Sequence, residues 1–267
     1  MKCELCPHYC DIPENGFGFC GARKNVGDEI VCVNYGKLTS IALDPIEKKP
    51  LYHFLPGSKI LSVGSYGCNM KCGFCQNFEI SQNNPQYDYV SPEKLVEISA
   101  NTPDNTGVAF TYNEPTISFE YVVDCAKLLK RSGLKAVLVS NGQINAAPLE
   151  RLANLVDAWN IDIKAWSGDF YKRHCGDFET AKRTVEIASM TAHVEVTTLI
   201  IPGENDNDND IDAMSEWLAK ISADIPLHLS RYFPRYKYDK SETTKDTLFR
   251  LAKIAKRHLK YVYVGNV

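Results

Sequence analysis

Three observations in the sequence predict an α/β fold, a partial (β/α)6 TIM-like barrel carrying a small Cys-rich N-terminal extension. From about residue 60, short strand-like runs alternate with helical patterns, the layout of a parallel sheet with right-handed crossovers. Polar residues gather just past the C-terminal ends of those runs, where barrels of this kind place function. Residues 1–58 form a different compositional unit, leaving 59–267 for the barrel in a chain of 267 residues.

The extension comes first. Cys3-x2-Cys6-x3-Cys10-x9-Cys20 supplies four thiols among Pro7, Pro13, Gly16 and Gly18. Such a segment, poor in aliphatic residues, needs a staple to become ordered. Four thiolates serve structural zinc or an iron–sulfur cluster equally well, and His8 offers an alternative ligand.

The barrel begins with a strand at Ile60–Val63, which feeds a cysteine loop. Ser91-Pro92-Glu93 opens a helix, with serine at the N-cap and proline at the first helical position. Val108–Thr111 is the second strand. Thr116–Ser132 then carries Ile117, Tyr121, Val122, Cys125, Leu128 and Leu129 at helical spacing, and Gly133 is placed to end it. Ala136–Val139 is the third strand, and Ile161–Ile163 closes a fourth. Val194–Ile201 is the fifth, stopped by Pro202-Gly203, and Leu227–Leu229 is the sixth. Helices are expected between them at Leu149–Val156, Thr180–Met190 and Ile211–Ile221. A last helix over Thr247–Leu259, with Leu248, Leu251, Ala252 and Ala255 on one face, precedes a final strand at Tyr261–Val264.

Composition excludes several classes. A formal net charge of -3 argues against general binding to nucleic acid or anionic membranes. No apolar stretch approaches the length of a membrane span, and Met1-Lys2-Cys3-Glu4 lacks the layout of a signal peptide. A cytoplasmic location is expected, where cysteines stay reduced or bind metal.

The most constraining segment is Cys68-Asn69-Met70-Lys71-Cys72-Gly73-Phe74-Cys75, three thiols spaced C-x3-C-x2-C. Three thiolates can hold three corners of a cubane iron–sulfur cluster, whose full protein ligation takes four. A zinc site short of one ligand, or cysteines destined for disulfides, would use the same thiols. The other strand ends add Thr111-Tyr112-Asn113-Glu114-Pro115-Thr116, then Ser140-Asn141-Gly142, then Asp162 and Lys164 on one face of the fourth strand. Taken singly, Asn113 and Asn141 are ordinary turn residues, and Asp162 with Lys164 is a structural ion pair. Their common placement carries the functional reading.

The cysteine spacing, with aromatic Phe74 before the third thiol, resembles the signature of the radical S-adenosylmethionine (radical SAM) superfamily. The resemblance implies a [4Fe-4S] cluster on Cys68, Cys72 and Cys75, whose open iron takes the methionyl amino and carboxylate groups of SAM. One electron, from a reductant such as ferredoxin or flavodoxin, then releases a 5′-deoxyadenosyl radical that removes hydrogen from a small-molecule or protein/peptide substrate. Asn113-Glu114-Pro115 stands where relatives carry Gly-Gly-Glu-Pro against the methionyl amine; here Tyr112 and Asn113 replace the glycines. Ser140-Asn141-Gly142 and Asp162-Ile163-Lys164 resemble motifs of glycyl-radical-enzyme activases that contact the ribose and the methionyl carboxylate. Val139 replaces an aspartate of their cation site. Thr197 stands where a basic residue is common, and Glu195 shares its face, placed to meet SAM or substrate.

A closer likeness runs through Leu43-Asp44-Pro45-Ile46-Glu47-Lys48-Lys49-Pro50-Leu51-Tyr52-His53-Phe54, the N-terminal cysteines, Cys75-Gln76-Asn77 and Ile80-Ser81-Gln82. These resemble the pyruvate-formate-lyase-activase-like family called AmmeMemoRadiSam, which implies Memo-like and AMMECR-type proteins as partners. Two rival readings remain: a glycyl-radical-enzyme activase, and a non-catalytic binding module stabilised by zinc.

Other features read as structural. Asn205–Asp210 is expected to be a solvated loop capping the next helix. His228 reads either as a satisfied strand histidine or as a contact inside the barrel. Tyr232, Phe233, Tyr236 and Tyr238 cover the barrel mouth or pack on the extension, and Lys48-Lys49 is expected to be a solvated pair. Cys32 and Cys125 read as small core hydrophobes, and Cys175 as a loop residue.

Overall fold

The computed structural model describes residues 1–267. The extension is irregular until a hairpin, β1 (Arg23–Val26) and β2 (Glu29–Cys32). Gly27 and Asp28 both have positive φ at its two-residue turn, 57° and 60°, as the tightest hairpins require. After β3 (Lys37–Leu38), β4 (Ser40–Pro45) pairs antiparallel with β5 (Lys59–Gly64). The extension therefore supplies an edge strand to the barrel sheet.

A short helix α1 (Phe78–Ser81) follows the cysteine loop, and β6 (Asp88–Tyr89) pairs back onto β3. Then come α2 (Pro92–Asn101), β7 (Asn105–Phe110), α3 (Phe119–Arg131), β8 (Lys135–Ser140), α4 (Ala146–Ala153) and β9 (Ala158–Asp162). The chain continues through α5 (Gly168–Arg173), α6 (Phe178–Ser189), β10 (His193–Ile200), α7 (Asp208–Ser222), β11 (Leu227–Arg231), α8 (Lys245–Ala255) and β12 (Val262–Gly265). The main sheet runs β12-β11-β10-β9-β8-β7-β5-β4, with every pair parallel except β4–β5. This is the α/β architecture expected, with the final strand added as a seventh parallel member.

Local chemistry sets most boundaries. Ser91, Asp177, Asn207 and Thr244 each accept a main-chain N–H at the start of α2, α6, α7 and α8, the usual remedy for free helix donors. Gly133, at φ 71°, lets the chain leave α3. α4 starts and ends three residues before the expected span, because Asn145 begins it and Pro148 fits its first turn. β7 starts three residues before the apolar run. There Asn105 accepts the Leu61 N–H at 2.8 Å across a register shift, so a polar residue does the work of pairing.

The two faces of the sheet bury different things. Outward-facing Val63, Phe110, Leu138, Trp159, Ile161 and Val196 pack under the helices in a continuous core. On the inner face Ile60, Ala109, Val137 and Ala158 form a separate cluster with Ile46 and Leu51. The segment after β4 thus plugs one end of the barrel, and the small side chains of Ala109 and Ala158 leave it room. Burying one such Ile or Leu contributes about 1.5–3 kcal/mol. Asn160 donates to the Pro50 carbonyl at 2.8 Å, and the His53 N–H donates to Glu195 at 2.7 Å.

Two expectations are corrected here. Lys49 is not solvated: only 4% exposed, it pairs with Asp44 at 2.9 Å and lies over the Tyr112 ring at 4.9 Å. Burial lowers its pKa, and Asp44 opposes that shift. Glu195 does share the inner face with Thr197, but it is fully buried in the plugged end. His193 lies 2.9 Å from one oxygen and His228 2.6 Å from the other. His228 is thereby a satisfied strand histidine. No helix is long and apolar enough to cross a membrane.

Candidate active site

At the open end of the barrel, the loops after β5, β7, β8, β9 and β10 surround a cavity of about 270 Å³. Cys68, Cys72, Phe74 and Cys75 form one wall. Asn113, Glu114, Ser140 and Asn141 form the next, and Asp162, Lys164 and Thr197 line a third. All eleven residues singled out in the barrel sequence therefore meet in one place, whereas Cys3, Cys6, Cys10 and Cys20 lie outside it.

The cysteine loop is held by polar contacts. Asn69 donates to the Gln143 carbonyl at 2.7 Å, and Gln82 donates to the Met70 carbonyl at 3.1 Å. The Met70 N–H faces the Cys68 sulfur at 3.4 Å, and Cys75 lies 3.3 Å from the Ser81 hydroxyl. Burial pushes the Cys68 thiol up, helped by the charges of Glu114 and Cys72. Burial also pushes Cys72 up, to about 11, with Lys164 pulling the other way. Phe74 is buried against Phe170, His174 and Tyr238. The aromatic segment after β11 thus closes over the cysteine loop, with Tyr236 stacked on Phe78 at 4.5 Å.

Glu114 is the hub of the second wall. One oxygen accepts from the Thr116 N–H, the Thr116 hydroxyl and Ser140, at 3.0, 2.7 and 2.8 Å; the other accepts the Asn141 N–H at 2.7 Å. All four donors are neutral, so burial dominates and raises its pKa. The carboxylate braces the ends of β7 and β8 and keeps acceptor capacity on its second oxygen. Asn113 accepts the Ser65 N–H at 3.0 Å and donates to Gly67 at 3.1 Å, tying β7 to the cysteine loop.

Tyr112 departs from the glycine pattern in residue type but not in backbone. Its φ is 72°, a left-handed conformation that costs a non-glycine residue roughly 1–2 kcal/mol. Its hydroxyl donates to Asp44 at 3.1 Å, and Gly64 makes space for it, since a Cβ there would sit 2.8 Å from the ring. The buried Asp44–Lys49 pair thus holds the strained residue in place.

On the third wall, Lys164 pairs with Asp162 at 2.9 Å. Burial opposes its charge, but Asp162 and Cys72 outweigh burial and raise its pKa. The Thr197 hydroxyl is buried without any partner. Thr197 lines the cavity, and a buried hydroxyl without a partner is costly.

The sequence reading missed several lining residues. Ser230 lies two residues beyond His228 on the same face of β11, so strand alternation would have found it. Leu199 likewise lies two residues beyond Thr197 on β10, whereas Tyr112 and Asn266 line the cavity through loop geometry, which carried no periodic signal. Asn205, expected in a solvated loop, is buried instead, donating to the Lys164 carbonyl at 2.6 Å and so holding the third wall. Asn207 caps α7 as expected.

The donor set fits an iron–sulfur cluster with an open vertex. Three thiols share one wall, no fourth cysteine lines the cavity, and polar groups with free capacity face them. No three Cys, His, Asp or Glu side chains converge on a single-ion position.

The sequence profile of the radical SAM superfamily matches residues 62–218. The chain belongs to that superfamily and is an enzyme of it. It is 40% identical over 277 aligned positions to an uncharacterized protein of Methanocaldococcus jannaschii, covering 100% of this chain and 81% of that one. It is 26% identical to a putative glycyl-radical enzyme activating enzyme of the same organism, over 76% of this chain and 79% of that one. The fold matches a domain of a pyruvate-formate lyase-activating enzyme from Bacteroides vulgatus with a TM-score of 0.54 at 16% identity, over 61% of this chain and 100% of the domain.

Proposed function

We propose that this enzyme holds a [4Fe-4S] cluster on Cys68, Cys72 and Cys75 and binds SAM in the adjoining cavity, to abstract hydrogen from a substrate. The single observation that supports this reading is the convergence of the three thiols, the Glu114 hub and Thr197 on one cavity. The bound cluster would supply one electron for reductive cleavage of SAM, drawn from a reductant such as ferredoxin or flavodoxin.

The chain's own groups have distinct parts. Glu114 and Asn113 hold the strand-end backbone that receives the methionyl amine. Ser140, Asn141 and Thr197 offer neutral hydrogen-bonding groups to the ribose and carboxylate. Lys164 keeps a positive charge beside Cys72, and Asp162 keeps that charge fixed. Phe74 and Tyr238 shield the cysteine loop from water and oxygen. Memo-like and AMMECR-type proteins are candidate partners through the family likeness.

The test is anaerobic reconstitution with iron and sulfide, followed by reductant and SAM. 5′-Deoxyadenosine and methionine are expected, together with a reducible cluster signal by electron paramagnetic resonance. If neither product forms and no such signal appears, the reading is wrong.

A second reading is favoured by the relatives named as glycyl-radical activating enzymes: the substrate is a backbone glycine of a partner polypeptide. It predicts a glycyl radical signal on that partner.

A further inference from the structure

The four cysteines of the extension play no part in the site above, yet the fold gathers them. Cys3, Cys6 and Cys20 are buried and Cys10 is half-buried. Before β1 the extension's only pairing is two isolated bridges, Lys2 with Asp11 and Phe17 with Lys24, and its only buried branched aliphatic side chains are Leu5 and Ile12. All four thiols are free.

The Phe19 N–H donates to the Cys10 sulfur at 3.4 Å, and the Cys3 N–H donates to the Cys10 carbonyl at 2.9 Å. The Cys6–Cys10 turn closes through Tyr9, whose N–H donates to the Cys6 carbonyl at 3.1 Å and whose φ is 44°. His8 does not complete the donor set: its Nε2 lies 2.7 Å from the Asn69 carbonyl, and its ring packs on Phe19.

We propose that Cys3, Cys6, Cys10 and Cys20 ligate a thiophilic metal centre, zinc or a second iron–sulfur cluster, that clamps the extension onto the cysteine loop. Four thiolates complete either centre and leave no open vertex, so it offers no coordination site to SAM. The sulfurs do not converge on a single point, and binding would pull them inward. The clamp sits beside Cys68. A Cβ on Gly67 would be 2.5 Å from the Cys20 carbonyl oxygen, so the two backbones touch there. Asn145, after β8, donates to the Glu4 and Cys6 carbonyls at 2.7 and 3.0 Å.

The test uses the full chain with Cys68→Ala, Cys72→Ala and Cys75→Ala, loaded anaerobically either with zinc or with ferrous iron and sulfide. After desalting, it should keep about one zinc or about four irons per chain, and further replacing the four extension cysteines should abolish retention. A folded triple variant that keeps stoichiometric metal in neither arm overturns the proposal. The reciprocal variant, with only the extension cysteines replaced, reports the loop cluster separately. If the triple variant does not fold, native mass spectrometry of the loaded wild type decides: two centres per chain support the proposal and one overturns it. Hydrogen exchange at residues 66–70 should slow at least tenfold when the extension is metallated; equal rates would remove the clamp.

Discussion

Glu114 and Glu195 are both buried on barrel strands or their loops, yet they sit at opposite ends and are treated in opposite ways. Glu195, in the plugged end, meets two histidines and the N–H of His53, and these partners overcome burial to hold it down at about 2. Glu114, at the cavity, meets only neutral donors, and burial raises it. A carboxylate with its full complement of partners and no adjoining space is a clamp. One with spare acceptor capacity beside a cavity is poised for a ligand. The two ends therefore divide stability from function, and substitutions should separate them.

The largest effect is expected at the open end. Cys72→Ala should abolish the reconstituted cluster signal and 5′-deoxyadenosine formation, with little change in thermal midpoint, because the thiol braces no other element. Loss of folding on this change would blur the division.

At the plugged end, Glu195→Ala should destabilise by about 3–5 kcal/mol in urea denaturation, since it leaves buried His228, partly exposed His193 and an N–H unpaired. Any loss of SAM affinity in the folded variant would contradict the division. The pH dependences should also differ in sign. Glu195 is depressed, so its stabilisation is present above about pH 4.5 and is lost as pH falls toward about 2. Glu114 is raised, so its effect runs the other way: stability falls as pH rises above the ordinary carboxylate range. Glu195→Gln should flatten the first trend, and Glu114→Gln the second. The latter should also cost about 1–3 kcal/mol, because its amide cannot accept where the carboxylate did.

The division was half legible in the sequence. Strand alternation and the polar strand ends located the cavity, because a parallel barrel leaves little choice about which loops meet. The plug was not legible. Ile46, Leu51 and Lys49 lie in a segment without helical or strand periodicity, so nothing local distinguished Lys49 from a solvated lysine. Glu195 was assigned to the correct face but the wrong end: alternation fixes the side of a strand, while height depends on register with neighbours such as Asn160. Tyr112 was named at its strand end, but its left-handed backbone was not legible, because it depends on Asp44 and Lys49, more than sixty residues earlier.

The smallest effect is the most discriminating. Thr197 buries a hydroxyl that no group meets, a penalty of about 1–3 kcal/mol if no ligand is bound. Thr197→Val keeps the shape and removes that penalty, so the free protein should become slightly more stable by about 1 kcal/mol. The same change should weaken SAM binding several-fold, read as a smaller thermal shift at fixed SAM concentration. A residue that lowers stability when empty and raises affinity when filled belongs to a ligand site. If the valine variant is less stable and binds SAM unchanged, Thr197 is packing alone, and the third wall of the cavity must be reassigned to Asp162 and Lys164.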